Sequence, residues 1–186
     1  VKLPPVLLGK KAVLNIDSPD GQCFQYAVVA ALHHTDSSIN STHKNRYSNY
    51  TRFLQHYNFS CFNGPVDASE LKQFEKLNQQ VSLTAIIWEK DKPRMCYTTH
   101  NTAGKIAIIL FYAGHWLPVM SLGRLVGSAK VDSAYCHKCL GNFYKPEKLE
   151  KHIPKCLGQQ ETMPSDKIFK WDDMKKSLPP PYVLYC

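Results

Sequence analysis

The sequence contains no apolar run approaching the roughly 18 residues that a membrane-spanning helix needs, so no membrane span is expected. Its first residues, Val1-Lys2-Leu3-Pro4-Pro5, do not build a secretory signal with a small-residue cleavage site. There is no internal repeat, which excludes solenoids and propellers, and no glycine-rich phosphate loop of the kind nucleoside triphosphatases use. Acidic residues are scarce, 15 against 23 Lys and Arg, and the net charge is +8. No run of about five basic residues concentrates that charge, so it marks compatibility with an acidic partner and no more. Together these absences predict a soluble intracellular protein of the cytoplasm or nucleus. A chain that begins at Val1 is expected to be excised from something longer.

What is present is enough apolar residue for a core, 44% of 186, and seven cysteines. Seven is odd, and three of the seven crowd between positions 136 and 156 with a histidine. That grouping suits a metal site in a reducing compartment better than a disulfide framework.

The sequence pattern is organised around Asp20-Gly21-Gln22-Cys23-Phe24. A Pro-Asp-Gly turn runs into a cysteine, and Phe24, Ala27, Val28, Ala31 and Leu32 follow at helical spacing. Cys23 is thus expected in the first turn of a helix ending near His33-His34. Free N–H groups and the positive end of the helix dipole there favour a thiolate. A small buried core cysteine is the alternative.

Residues 1–12 read as a lead-in, and 12–17 as a short strand. A second helix is expected over 44–57, with Tyr47, Tyr50, Phe53, Leu54 and Tyr57 on one face. Asp67 can cap a further helix with Glu70 at its third position. The period then changes to strands at 81–88, 105–112 and 116–120, the last two joined by a turn at Ala113-Gly114. Helices first and strands afterwards predict an α+β domain.

His115 stands between two apolar strand runs. A rigidly held histidine there could take a proton from Cys23 and return it to a leaving amine. A hydrogen-bonded core or turn histidine is the alternative. A nucleophile helix first and a strand histidine later follows the logic of papain-like thiol hydrolases.

The run Asn15-Ile16, Asp20, Cys23-Phe24, then Leu71-Lys72-Gln73-Phe74-Glu75-Lys76-Leu77-Asn78, then His115-Trp116 with Arg124-Leu125, resembles a block found upstream of B-family DNA polymerases in eukaryotic mobile elements. The protease-like part of that block is similar to deubiquitinases related to the herpesviral large tegument protein. Asp20-Gly21-Gln22-Cys23 with His115-Trp116 also resembles ovarian-tumour-type deubiquitinases. The resemblance implies a papain-like fold with a small central antiparallel sheet, Cys23 as nucleophile and His115 as base. It implies ubiquitin or polyubiquitin as the partner, cleaved after its C-terminal Gly-Gly.

The chain departs from these families at the residue that would orient the histidine. Tegument-type enzymes carry Asp two residues before it, where Ala113 stands; ovarian-tumour-type enzymes carry Asn or Asp two residues after, where Leu117 stands. The mobile-element block usually has Asn or Asp where Ser121 stands, which leaves Ser121 as an orienter, with Asp17, Asp91, Asn101 and Asp132 open. The Cys23 backbone N–H is expected to serve the oxyanion, with Asn15, Asp20 and Gln22 supporting it or its loop and Trp116 walling a substrate channel.

Cys136-x2-Cys139-x12-His152-x3-Cys156 has the spacing of a ββα finger, with Phe143 and Leu149 as its small core. Four protein ligands leave no open position, so structural zinc is expected and no catalytic metal. His137, inside the knuckle, is expected to be exposed. The finger helix mixes Lys145, Glu147, Lys148, Glu150 and Lys151, and a lone finger seldom binds DNA specifically, so protein contact or stabilising the domain end is expected at least as much as DNA contact. The expected organisation is a protease domain at 1–128, a finger at 129–160, and at 161–186 a linker and docking tail toward a missing domain. Two rivals stand beside the hydrolase: a DNA- or partner-binding module without catalysis, and a protease that processes its own polyprotein.

Overall fold

The helix that begins at Cys23 is buried on two sides, because its apolar residues are too many for one stripe. In the computed structural model this is helix α2, Cys23–His33. The structure describes residues 1–158 apart from 20, 63, 65, 68, 69, 100, 102, 103 and 128–133. Phe24, Ala27 and Val28 pack into one cluster with sheet residues Leu83, Ala85, Ile109 and Trp116. Tyr26, Val29 and Ala30 pack on the other side against Ile39, Tyr50 and Phe53. A helix apolar all round is a buried helix, and this one lies at the centre of the chain.

Before it comes helix α1, Pro5–Lys10, in the stretch expected to be a mere lead-in. Proline is at home at the first helical position, where its missing N–H would have had no partner. Leu7 from this helix is fully buried.

The expected second helix at 44–57 is replaced by three short 3-10 segments, Ser41–His43, Tyr47–Asn49 and Thr51–His56. Side chains compete with the backbone there. Asn49 Nδ2 donates to the His43 carbonyl at 2.8 Å, Tyr50 Oη to that of Lys44 at 3.0 Å, and Asn40 Oδ1 accepts from Thr42 N at 3.0 Å. Such bonds give the chain an alternative to the α-helical ladder. The aromatic stripe still finds the core, through Tyr50 and Phe53.

Helix α3 spans Leu71–Leu77. The reach-back of the expected capping box is present, since Glu70 Oε2 accepts from Asp67 N at 2.7 Å. Strands β1 (Val81–Glu89), β2 (Lys92–Tyr97), β3 (Lys105–Tyr112) and β4 (His115–Pro118) form one sheet in the order β2-β1-β3-β4. The sheet is mixed, which corrects the antiparallel expectation: β1 and β3 run parallel, from Val81 opposite Lys105 to Ile87 opposite Phe111. The cause is β2, a strand the apolar pattern did not announce. It folds back on one edge of β1, and the chain then crosses to the other edge. Asn101 anchors that crossing by donating to the carbonyls of Gln79 at 2.5 Å and Val81 at 3.2 Å.

Both faces of the sheet are covered, as near-continuous apolar strands require. Residues of β1 and β3 alternate between the cluster around Phe24 and a second cluster of Leu7, Ile86, Trp88, Leu110, Leu117 and Leu125. Helix α1 and helix α4, Leu122–Val126, cover the second face. Glu75 mends the edge where β2 runs out: its buried carboxylate accepts from Leu83 N and from Tyr97 Oη, each at 2.6 Å.

The C-terminal described part pairs β5 (Ala134–Tyr135) with β6 (Asn142–Phe143) and adds helix α5, Pro146–His152. Among the described residues it rests on the larger part at several points. Leu140 packs against the second cluster. Thr98 Oγ1 donates to the Lys138 carbonyl at 3.1 Å. The Tyr135 ring lies on α4, where a Cβ on Gly127 would stand 1.9 Å from its hydroxyl. The expected boundary near 128 and the expected tail at 161–186 lie outside the described residues.

Candidate functional site

Cys23 is the first residue of α2 and half-buried. Gln22 precedes it as the N-cap, with no side-chain capping bond, and is exposed. The turn before is made by Gly21 at φ +75, a conformation that suits glycine, and a Cβ there would stand 3.7 Å from the Cα of Gly64. Asp20, expected to brace this loop, lies outside the described residues.

The sheet end that receives Cys23 is set by aromatic packing. Phe24 meets Trp116 edge-on with ring centroids 5.9 Å apart, and Phe111 lies 4.9 Å from Trp116 across the β3–β4 pair. Trp116 and His115 are neighbours in β4, so the nucleophile helix starts beside the strand that begins with the histidine. Helix α2 packs on both β3 and β4.

His115 itself is exposed and stands opposite Tyr112 across the hairpin. Trp116 faces α2; strand alternation therefore starts the His115 side chain on the other face, with Tyr112 and Leu117. Among the described residues no hydrogen bond joins Cys23 to His115. A contact between them takes the imidazole around the open end of β4, past Gly114. Ala113 and Gly114 both have positive φ, 49° and 79°, the geometry of a tight two-residue hairpin.

The other named residues have other duties. Trp116 is 4% exposed and its Nε1 donates to the Val66 carbonyl at 2.9 Å, so it is core and does not wall an open channel. Asn15 Nδ2 donates to the Val1 carbonyl at 2.7 Å. Ser121 is the N-cap of α4, accepting from Arg124 N at 3.4 Å. Largely extended chain at roughly 3.3 Å per residue carries it away from His115. Asn101 is engaged at the start of β1, the sheet end far from the Ala113-Gly114 turn. Asp91 sits in the β1–β2 turn at φ 58, Asp17 is exposed with its backbone bridged to Arg46, and Asp132 lies outside the described residues.

The four residues of the finger motif do converge. Ligand atoms of Cys136, Cys139, His152 and Cys156 all lie within 4.8 Å of one another, without a disulfide. Cys136 and Cys156 sulfurs are 3.7 Å apart, and Cys139 Sγ is 3.4 Å from His152 Nε2. A tetrahedral ion at the usual bond lengths sets thiolates about 3.8 Å apart and a thiolate and an imidazole nitrogen about 3.6 Å apart. The donor set therefore fits one metal ion. Backbone N–H groups of Lys138 and Gly141 point at the sulfurs of Cys136 and Cys139, each at 3.4 Å, which favours the thiolate form. Burial pushes the bare Cys139 thiol up to about 12; a divalent cation reverses that preference by supplying the missing charge. His137, expected to be exposed, is buried, and burial lowers its pKa.

Reasoning from sequence missed the residues that seat the finger, Thr98, Lys138 and Leu140. The available signal was Leu140 itself, an apolar side chain directly after the second knuckle cysteine. No helix among the described residues is long and apolar enough to cross a membrane. Comparison of the chain with protein-family models, with curated proteins and with solved structures finds no match in any of the three.

Proposed function

We propose that the chain is a thiol-dependent hydrolase of the deubiquitinase type, with Cys23 as nucleophile, His115 as general base and a structural zinc ion in the Cys3His cluster. One observation carries it. The cysteine opens a buried helix, and the next residue, Phe24, packs on Trp116, the neighbour of the strand histidine. Two residue types needed for acyl transfer thereby flank one aromatic contact at one end of the sheet.

In this mechanism the Cys23 thiolate attacks the carbonyl carbon of the scissile bond while His115 holds the thiol proton. The oxyanion takes the backbone N–H of Cys23 and the side-chain amide of Gln22, which makes no capping bond to the helix. His115 then delivers its proton to the leaving amine, and a water, deprotonated by His115, hydrolyses the thioester and frees Cys23. Catalytic hydrogen bonds often tighten only when substrate is bound, and the swing of His115 around the strand end is the closing step here.

Ubiquitin is the proposed substrate through the resemblance to tegument-type and ovarian-tumour-type deubiquitinases. Gly21 lies against Gly64 two residues before Cys23, where a Cβ would stand 3.7 Å from the Gly64 Cα, and two residues without side chains there suit a slender Gly-Gly tail. The finger is proposed to be structural, because Leu140 is committed to the core.

The test is reaction of the purified chain with ubiquitin carrying a C-terminal thiol-reactive warhead, followed by peptide mapping. An adduct on Cys23 that disappears in His115→Ala is expected. No adduct, with Cys23 also inert to small alkylators, overturns the assignment and makes Cys23 a packing residue.

A further inference from the structure

We propose that a cavity of about 430 Å³ between α1 and α4, on the side of the sheet away from Cys23, binds a phosphate group. Among the described residues its lining is Gly9, Lys10, Lys11, Arg124 and Gly127, three cations and two glycines with no carboxylate. Lys10 Nζ donates to the Arg124 carbonyl at 3.4 Å, which ties one ammonium across the gap between the two helices.

Among the described residues no acidic side chain pairs with these charges. Ion pairs among the described residues join Arg52 to Asp36 and Arg94 to Glu89, and neither pair touches this cavity. Three like charges converging on one hollow repel one another, and an anion in the hollow relieves that repulsion. A guanidinium fork and two ammonium groups match the tetrahedral oxygens of a phosphate. A neutral donor stands close by as well. The Tyr135 hydroxyl is packed against Gly127, where a Cβ would come within 1.9 Å of it, and it has no hydrogen-bond partner among the described residues.

The plainer account is that Lys10 and Lys11 face the negative end of α1. It covers those two residues weakly, since α1 has only six residues, and it leaves out Arg124, which comes from the opposite wall. The volume exceeds one phosphate and falls within the roughly 300 to 1,000 Å³ of small-ligand sites. The ligand is therefore a phosphate with an organic remainder, either a free nucleotide or a segment of nucleic-acid backbone.

The experiment is amide NMR on the intact, metal-loaded chain, titrated separately with inorganic phosphate, with a nucleoside monophosphate and with a short DNA oligonucleotide. Saturable shifts are expected at the amides of Gly9, Lys10, Lys11 and Gly127, weakened at least about tenfold in the double variant Lys11→Gln, Arg124→Gln and retained in Lys11→Arg, Arg124→Lys. Both altered side chains are exposed, and an unchanged melting temperature verifies that each variant folds. Shifts with the small phosphates identify a free ligand, and shifts with the oligonucleotide alone identify a backbone segment. No saturable shift with any of the three, or shifts that persist undiminished in the glutamine variant, overturns the proposal.

Discussion

Phe24 stands edge-on to Trp116 with ring centroids 5.9 Å apart and planes at 73°. The contact divides two adjacent residues of β4 by role. Trp116 holds the helix to the sheet, and His115 stands outside the core. Truncating Trp116 to Ala is expected to cost about 3 to 5 kcal/mol, since it removes a buried indole and the bond to Val66. The His115→Ala change is expected within about 0.5 kcal/mol of the parent. Urea unfolding of both, beside the ubiquitin-probe assay, separates them: His115→Ala keeps stability and loses the adduct. Equal destabilisation by the two changes would contradict the placement of His115.

Leu140 connects the metal cluster to the sheet. Treating the metal-loaded chain with a chelator is expected to lower the melting temperature of the whole described fold, because the proposed ion ties together the knuckle that carries Leu140. Cys136→Ser should reproduce the effect. Leu140→Ala should keep the ion, measured as bound zinc per chain, yet reduce stability by about 1 to 2 kcal/mol. Two separate transitions on chelation, with the larger one unmoved, would show that the finger stands alone.

His33 closes the far end of α2. Its Nε2 is 2.9 Å from Tyr57 Oη, and its ring stacks on Phe53 at 4.1 Å. Burial lowers its pKa, with Lys105 adding to that, Asp36 opposing it, and His56 and Arg52 reinforcing it. The folded state therefore holds fewer protons than the unfolded state just below the ordinary value of 6.5. The contribution is complete above that value and is lost as pH falls below it, toward the lowered folded value. Melting temperature should fall from about pH 7.5 to about pH 5.5. In His33→Gln the slope should flatten, measured with the metal kept in place; an unchanged slope assigns the effect elsewhere.

The β1–β2 hairpin turns through Lys90 and Asp91 with φ of 49° and 58°. Two positive φ values define the turn type that Asn-Gly prefers; lysine does not adopt it freely, and at the second position glycine adopts it more freely than aspartate. Replacing the pair by Lys90→Asn and Asp91→Gly is expected to raise stability by about 1 kcal/mol, read by urea unfolding, without altering metal content. A loss of stability would mean that the Lys90 or Asp91 side chain holds a contact worth more than the relief.

Legibility differed from element to element. The Cys23 helix was readable because its apolar spacing is dense, and the Ala113-Gly114 turn because two apolar runs flank it. Strand β2 was not, because Lys92, Pro93 and Arg94 carry no alternation that marks a strand; its pairing comes from β1. The helix expected at 44–57 failed because Asn40, Asn49 and Tyr50 side chains captured backbone groups that spacing alone assigned to a helix.

In the candidate site, the sequence by itself placed Cys23 at a helix start and His115 at a strand start, and grouped Cys136, Cys139, His152 and Cys156 at a spacing that can close around one metal ion. Those placements depend on neighbours within a few residues, and local rules reach that far. Only the tertiary structure decided that Trp116 is core, that Ser121 caps α4, that the sheet is mixed and that Leu140 joins the finger to it. Each of these depends on packing between segments distant in the chain, where burial of apolar surface and satisfaction of backbone groups are settled jointly and no local pattern records the outcome.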